Sequence, residues 1–226
     1  MIKAVIFDMD GTIFDSERLL MRGWQGVVDC GMAPPALMDL IPLWRGKKRA
    51  EISRIILGLI GEDRSVEPLY QKRREIIYSI LDAEGVPLKA GVPQVFEDLR
   101  RQGFRLALAT ASSEETVSDY MRRTGYQVYF DRMITGDRVS NGKPAPDIFL
   151  LAAEELGVSP SECIVVEDSP NGVRSGYHAG MRVIMVPDLD PPDEEVSRLL
   201  WHRCETLSEI PPLVETLNQA MSVKIL

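Results

Sequence analysis

The sequence is poor in the residues that identify disulfide frameworks, zinc sites and histidine-based catalytic centres. Its 226 residues include three cysteines and two histidines. Cys30, Cys163 and Cys204 are odd in number, widely spaced and without a CxxC pair, which argues against structural disulfides and a zinc site. His178 and His202 lie outside every motif described below. If the chain has an active site, we therefore expect its acid–base catalyst to be a carboxylate.

Long apolar runs and an excess of positive charge are also missing. No window approaches the roughly 18 apolar residues of a membrane span, and a strand-like segment begins almost at Met1 without a leader sequence. We therefore expect a cytoplasmic protein that does not bind membranes. The formal net charge of −8 argues against a nucleic-acid partner, since phosphate backbones are bound by basic faces. We expect a monomer or a weak dimer.

An apolar segment near the N-terminus ends abruptly in polar residues. Lys3 to Phe7 shows no polar alternation, which is typical of a strand buried on both faces of a parallel sheet. Asp8 and Asp10 follow it, and the two-residue period of a strand points both to the same side. In open α/β sheets ligands bind at the carboxyl ends of the strands. The segment therefore predicts a ligand site at its end.

The rest of the chain divides into a helical block and an alternating block. From Asp15 to Gly85 the apolar spacing predicts four helices and no convincing strand, whereas strands and helices alternate afterwards. The predicted fold class is α/β, with a doubly wound parallel sheet built from residues 1–14 and 89–226. Residues 15–88 are predicted to form an inserted all-α, four-helix domain.

Polar side chains follow the later strands at the same edge of the predicted sheet. Thr110 ends the second strand, Lys143 lies on a loop after the third, and Glu167-Asp168 ends the fourth. With the two acids of the first strand this places four carboxylates together, which would repel one another unless cations were present. Oxygen ligands of this kind suit Mg²⁺. Thr110 and Lys143 would then hold phosphate oxygens.

The two acids of the first strand have separate candidate roles. Asp8 is the candidate nucleophile and Asp10 the candidate general acid–base. A calcium loop is a poor alternative for these acids, because an EF-hand loop is flanked by helices and a strand precedes Asp8 here.

In order, these residues resemble the four motifs of the haloacid dehalogenase-like (HAD) hydrolase superfamily. Its first motif, DxDGT, occurs as Asp8-Met9-Asp10-Gly11-Thr12, and the later motifs are matched by Thr110, Lys143 and Glu167-Asp168. The resemblance covers essentially the whole chain. It is closest to the small phosphatases and β-phosphoglucomutases, whose Rossmann-like core carries a helical cap domain inserted after the first motif.

The resemblance implies a Mg²⁺-dependent phosphomonoesterase for small phosphorylated metabolites, with sugar or polyol phosphates as the expected substrates. Asp8 would attack phosphorus and form an aspartyl phosphate, while Asp10 would protonate the leaving oxygen and later activate water. The implied metal ligands are the Asp8 side chain, the Asp10 carbonyl and Asp168, with Glu167 supporting them. A dehalogenase lacks the second acid of the first motif, so Asp10 argues against dehalogenation.

Substrate contacts are expected in the helical domain. In similar β-phosphoglucomutases an arginine at the place of Arg49 contacts the distal phosphate of the substrate. Lys72 lies near the expected place of a second cation, although the sequence leaves open which of Lys72, Arg73 and Arg74 faces the substrate.

Ser112 has two interpretations. With Glu115 it has the S-x-x-E spacing of a capping box, which predicts the start of a helix ending at Gly125. In similar enzymes the counterpart of Ser112 can instead face the substrate.

The main alternative function is a β-phosphoglucomutase-type phosphosugar mutase. Those enzymes carry a histidine about ten residues after the second acid of the first motif, where this chain has Leu20. Asp15-Ser16-Glu17 is instead similar to the Asp-Ser-Glu of many sugar-phosphate phosphatases, which favours hydrolysis. A third hypothesis, a regulator that binds phosphometabolites without catalysis, is disfavoured by the presence of both Asp8 and Asp10.

Overall fold

The chain forms two compact units in a computed structural model that describes residues 1–44, 49–189 and 191–223. The core unit contains Met1–Asp15 and Leu88–Leu226, and the helical unit contains Ser16–Pro87. The strands are β1 (Ala4–Phe7), β2 (Arg105–Ala109), β3 (Arg132–Ile134), β4 (Cys163–Glu167), β5 (Arg182–Met185) and β6 (His202–Arg203). The α-helices are α1 (Ser16–Asp29), α2 (Leu37–Leu40), α3 (Arg49–Ile60), α4 (Glu67–Glu84), α5 (Gln94–Arg101), α6 (Glu114–Thr124), α7 (Asp147–Leu156), α8 (Pro170–His178), α9 (Glu194–Leu199) and α10 (Ile210–Val223).

The core unit is built on a six-stranded sheet in the order β3-β2-β1-β4-β5-β6. Every neighbouring pair of strands is parallel, so the predicted parallel α/β sheet is confirmed. β1 lies between β2 and β4, which places Asp8 at the carboxyl end of a central strand. The sequence predicts a helix around Glu194 to His202, but α9 ends at Leu199 and His202 starts β6. A two-residue strand is too short to show a periodicity.

Helices cover both faces of the central strand. Phe7 packs edge-on against Phe96 of α5, with ring centroids 5.1 Å apart. Ile6 belongs to a separate buried cluster that contains Phe149 of α7 and Val173 of α8. Full burial of each such side chain contributes about 1.5–3 kcal/mol to folding. The sandwiched apolar strand therefore provides a rigid base for the acids that follow it.

The helical unit has its own aromatic centre. Trp24 of α1 contacts Trp44 and Tyr70 in T-shaped arrangements, with ring centroids 5.2 and 5.4 Å apart. Within the described part of this unit, residues 16–44 and 49–87, no residue lies in a strand.

Two helix starts in the core unit show how the chain caps its helices. Ser169-Pro170 predicts a helix with serine as its cap and proline as its first residue, and Gly180 predicts its end. Ser169 does cap α8, with Pro170 as the first helical residue. The capping box predicted from Ser112 and Glu115 is wrong, because the N-cap of α6 is Ser113, whose hydroxyl accepts a hydrogen bond from the backbone N–H of Thr116. Two adjacent serines both fit a cap pattern, and the second one takes the role.

The cysteines and the apolar helices are the subject of two further predictions. The three cysteines are free: Cys30 is exposed, and Cys163 and Cys204 are buried. None of the described helices is long and apolar enough to cross a membrane.

Candidate active site

The turn after β1 brings the first acids against the end of β4. The backbone N–H of Asp8 donates to the carbonyl of Val166 at 2.9 Å, which continues the sheet by one residue. Gly11 has φ +76°, and a Cβ atom there would lie 2.2 Å from Asp168 Oδ2. Glycine is therefore required at this position for its conformation and for the space that Asp168 occupies.

Lys143 connects the first strand to the fourth. Its Nζ donates to Asp8 Oδ1, to Glu167 Oε1 at 2.7 Å and to the carbonyl of Ala109 at 3.2 Å. The side chains of Lys143 and Asp8 are 9% and 8% exposed. The structure thus brings together three of the predicted site residues from three separate parts of the chain.

The carboxylate of Glu167 is held from two sides. Its Oε1 accepts from Lys143, and its Oε2 accepts from the backbone N–H of Asp168 and from the N–H and hydroxyl of Ser169, each at 2.9 Å. A Cβ atom on Gly172 would lie 1.7 Å from Glu167 Oε1. Because both of its oxygens already accept hydrogen bonds, Glu167 is suited to orient Lys143 and the chain at Asp168.

Asp10 is held by two hydroxyl groups that follow β2. Ser112 Oγ donates to Asp10 Oδ2 at 2.6 Å, and Thr110 Oγ1 donates to the same oxygen at 3.4 Å. The backbone N–H of Ser112 in turn donates to Thr110 Oγ1 at 3.1 Å. Thr110 is therefore in the predicted site, and Ser112 is a partner of Asp10 in this structure.

Three carboxylates lie close enough together to share a metal ion. Asp8, Glu167 and Asp168 each offer an oxygen atom, and these atoms lie within 4.8 Å of one another. Three carboxylates against the single ammonium of Lys143 leave a formal excess of negative charge that a divalent cation would balance. An oxygen-only donor set suits a hard cation such as Mg²⁺. The donor chemistry therefore fits the predicted cofactor.

Burial and charge change the protonation of these groups. Burial, the largest effect, raises the pKa of Asp8 to about 8; Lys143 opposes this shift, and the charges of Glu167 and Asp10 add to it. Burial also raises the pKa of Asp168 well above its usual range, with Glu167 and Asp8 acting in the same direction. These directions are expected where carboxylates crowd together in a low-dielectric site without a metal.

Lys143 is shifted in the direction that keeps its charge. Burial by itself lowers the pKa of Lys143, but the charges of Asp8 and Glu167 and their hydrogen bonds outweigh burial and raise it overall. The side chain is therefore a permanent ammonium group in the neutral pH range.

The predicted substrate contacts Arg49 and Lys72 belong to the helical unit. The Arg49 guanidinium lies over the ring of Tyr70, 4.4 Å from its centroid, and pairs with Glu67 at 2.9 Å. Lys72 pairs with Glu75 at 3.1 Å. These contacts do not test a role in substrate binding, which stays a prediction.

Arg73 differs from its two basic neighbours in its surroundings. Its guanidinium lies over the rings of Trp24 and Tyr70, 4.9 and 5.2 Å from their centroids. Burial lowers its pKa, Tyr70 opposes this shift, and the charge of Arg49 adds to it. Of the three basic residues that the sequence left undecided, Arg73 is the one that packs against the aromatic centre of the unit.

Comparison with known proteins agrees with this arrangement of residues. Residues 2–180 match the family model described as haloacid dehalogenase-like hydrolase. The chain belongs to this family. The resemblance recognised from the four motifs is thereby confirmed.

Similar proteins include several enzymes named as phosphatases. A phosphorylated carbohydrates phosphatase of Thermotoga maritima is 33% identical over 81% of this chain and 84% of its own length. The fructose-1-phosphate phosphatase YqaB of Escherichia coli is 32% identical over 81% of this chain and 95% of its own. A crystal structure of CbbY from Rhodobacter sphaeroides with phosphate covers 93% of this chain and 96% of its own, with 26% identity and a TM-score of 0.68. The names of the first two proteins agree with the predicted HAD-like phosphatase.

Sequence reasoning missed two residues that shape the site of this family member. Ser169 was assigned only as a helix cap, yet its hydroxyl also donates to Glu167. Gly172 was not singled out, although it leaves the space that Glu167 fills. A glycine in the first turns of a helix is a usable signal, because it costs helix stability and is often retained for a close approach.

Proposed function

We propose that the chain is a Mg²⁺-dependent phosphomonoesterase that hydrolyses small phosphorylated metabolites through an aspartyl phosphate on Asp8. The observation that carries the proposal is the buried ammonium of Lys143 between Asp8 and Glu167, beside the hydroxyl-held carboxylate of Asp10. This set offers a nucleophile, a cation for phosphate oxygens and an acid–base at the same edge of the sheet.

In the first step, an oxygen of Asp8 attacks phosphorus and forms the acyl phosphate. The bond from phosphorus to the substrate oxygen breaks, and Asp10 gives its proton to that oxygen, so an alcohol leaves. Lys143 keeps Asp8 oriented and neutralises charge on the transferring group, which is the main way proteins assist phosphoryl transfer.

In the second step, water attacks the phosphorus of the acyl phosphate. Asp10, deprotonated by the first step, accepts a proton from this water. The bond between phosphorus and Asp8 breaks, which releases inorganic phosphate and restores the carboxylate. The hydrogen bond from Ser112 Oγ holds the side chain of Asp10 in place for this transfer.

We assign the metal to the same edge of the sheet. Asp8 and Asp168 would hold Mg²⁺ with their side chains and Asp10 with its carbonyl oxygen, while Glu167 supports them. When bound, the ion supplies positive charge to the phosphate oxygens. The oxygen donors within 4.8 Å of one another support this assignment.

We further propose that the helical unit is a cap domain that selects the substrate, with residues 15–88 inserted between the two parts of the core. Arg49 and Lys72 are its proposed substrate contacts, and Ser112 is a third in the core. Sugar or polyol phosphates are the proposed substrate class, because similar proteins are named as phosphatases of phosphorylated carbohydrates and of fructose 1-phosphate.

The test is phosphate release from a panel of phosphorylated sugars, polyols and other metabolites, with Mg²⁺ and with EDTA. We expect Mg²⁺-dependent release that Asp8→Asn lowers by roughly 1,000-fold or more, because the amide is not a nucleophile. The matched control is Asp63→Asn, the same change at an exposed position of the helical unit, which should leave the rate unchanged. Turnover in EDTA, or none on any phosphoester, would contradict the proposal.

The alternative, a phosphosugar mutase, is favoured by the arginine at position 49. It predicts conversion of β-glucose 1-phosphate to glucose 6-phosphate with little free phosphate and dependence on a bisphosphate activator. Release of phosphate in stoichiometric amounts excludes it.

A further inference from the structure

The loop that carries Lys143 is tied to helix α8 by a side chain outside all four motifs. Ser175 lies midway along α8 and is completely buried. Its Oγ donates to the carbonyl of Ala145, two residues after Lys143, at 2.6 Å. Helical serines commonly bond to a carbonyl of their own helix. The hydroxyl of Ser175 instead bonds to a separate segment of the chain.

The same loop has a second contact with α8 and one within itself. Nδ1 of His178 lies 3.3 Å from the carbonyl of Pro144. The base of the loop is closed by Asn141, whose side-chain amide donates to Asp147 at 2.9 Å. Ser175 is buried, whereas the contact of His178 is exposed, so the hydrogen bond of Ser175 is the better shielded from competition by water.

Helix α8 also holds Glu167, the carboxylate that accepts a hydrogen bond from Lys143. The N–H and hydroxyl of Ser169, the cap of the helix, donate to Glu167, and Gly172 leaves room for its carboxylate. The ammonium of Lys143 then donates to Glu167. Helix α8 therefore contacts both partners of one ion pair. The N-terminus of the helix holds Glu167, Ser175 holds the loop that carries Lys143, and the ammonium of Lys143 donates to Glu167.

We propose that Ser175 is a positioning residue for Lys143. By fixing the Ala145 carbonyl, its hydroxyl sets the point from which the long lysine side chain reaches Asp8. Without this bond, the loop can shift while the protein stays folded, and a displacement of about 1 Å at a reacting group can cost about 100-fold in rate. The inference rests on the proposed function only in that Lys143 takes part in phosphoryl transfer.

The first experiment compares Ser175→Ala and Ser175→Cys with the wild type. Alanine removes the donor, and cysteine keeps a side-chain atom there, larger than the hydroxyl oxygen, but donates weakly. We expect both to lower kcat about 10- to 100-fold, with the Mg²⁺ concentration for half-maximal activity unchanged within about twofold. The control is Ser197→Ala, which removes a 2.7 Å hydroxyl bond to the Asp193 carbonyl on the exposed side of α9 and should leave kcat unchanged. A cysteine variant with wild-type kcat would overturn the proposal, because volume rather than the bond would then matter.

The second experiment is a double-mutant cycle with Lys143→Met, read out by calorimetric binding of inorganic phosphate in the presence of Mg²⁺. If Ser175 acts through Lys143, Ser175→Ala weakens phosphate binding several-fold in the wild type and has no further effect when Lys143 is already methionine. Equal losses in both backgrounds would overturn the proposal. Urea unfolding of each variant verifies that all measurements are made on folded protein.

The two experiments also separate this inference from the proposed function. If the wild type hydrolyses no phosphoester but the binding cycle shows coupling, the function is wrong and the positioning role stands. If the wild type is an active phosphatase and the cycle is additive, the positioning role is wrong and the function stands.

Discussion

The chemistry of the single residue Asp8 depends on its surroundings. Burial raises its pKa to about 8, and burial raises the pKa of Asp168 as well. In the metal-free protein both groups therefore retain protons at a pH at which free carboxyls have lost theirs. A cation that binds them has to displace those protons.

The first prediction concerns the pH dependence of metal binding. Mg²⁺ should bind more weakly as the pH falls from about 8.5 to 6, and binding should release protons, because the raised pKa of Asp8 lies within this window. The native metal-free protein also holds more protons than the unfolded chain, so its stability should fall as the pH rises through the same window, and Mg²⁺ should reverse the loss. Calorimetry in two buffers of different ionisation enthalpy measures the proton release.

Asp8→Asn is the control for this experiment, since it removes one of the two protonated groups and should reduce the number of protons released. Mg²⁺ affinity that is independent of pH, with no proton release, would show that the site is already deprotonated.

Helix α8 and its cap place three residues around the candidate site. Its cap Ser169 bonds to Glu167, Gly172 makes room for the same carboxylate, and Ser175 holds the lysine loop. The pattern of cap, proline and terminal glycine predicted where this helix lies. The orientation of its inward face toward two different loops depends on how the helix packs, which no local pattern describes.

The second prediction tests the close approach at Gly172. Gly172→Ala should lower kcat by roughly 100-fold or more, because the added Cβ atom would overlap Glu167 Oε1 at 1.7 Å and displace the partner of Lys143. Overpacking at a buried position also costs about 1–3 kcal/mol of unfolding free energy. Steady-state kinetics and urea unfolding measure the two effects.

Gly58→Ala is the matched control for that substitution. Gly58 lies inside α3, and a Cβ atom there would meet nothing within 4 Å. Alanine should therefore leave kcat unchanged and stabilise the helix by about 0.5–1 kcal/mol. If both alanine variants behave alike, Gly172 is not a site of close approach.

In the whole molecule, the last helix is attached to the start of the first strand. Asn218 of α10 donates to the carbonyl of Ile2 at 2.9 Å and accepts from its backbone N–H at 2.7 Å. Ile210 and Val214 of the same helix are completely buried. The attachment lies at the amino end of β1, whereas Asp8 follows its carboxyl end.

The third prediction follows from this separation. Asn218→Ala removes both hydrogen bonds and should lower the unfolding free energy by about 1–3 kcal/mol, while kcat stays within twofold of the wild type. Gln219→Ala is the control, because Gln219 is exposed and bonds only weakly, at 3.4 Å, to Glu215. A large loss of kcat in folded Asn218→Ala would mean that the two ends of β1 are coupled.

The class of fold, the central strand and the group of residues at its carboxyl end could be predicted from the sequence. These depend on local patterns: a run of apolar residues makes a buried strand, and parallel strands bring their ends to one edge. Tertiary structure alone decided that Ser112 donates to Asp10 rather than capping α6, that Gly172 faces Glu167, and that Ser175 reaches Ala145. The contacts of Ser112 and Ser175 join segments far apart in the chain, and that of Gly172 joins a helix to the strand before it. Their geometry therefore follows from how the elements pack, which leaves no periodicity to read.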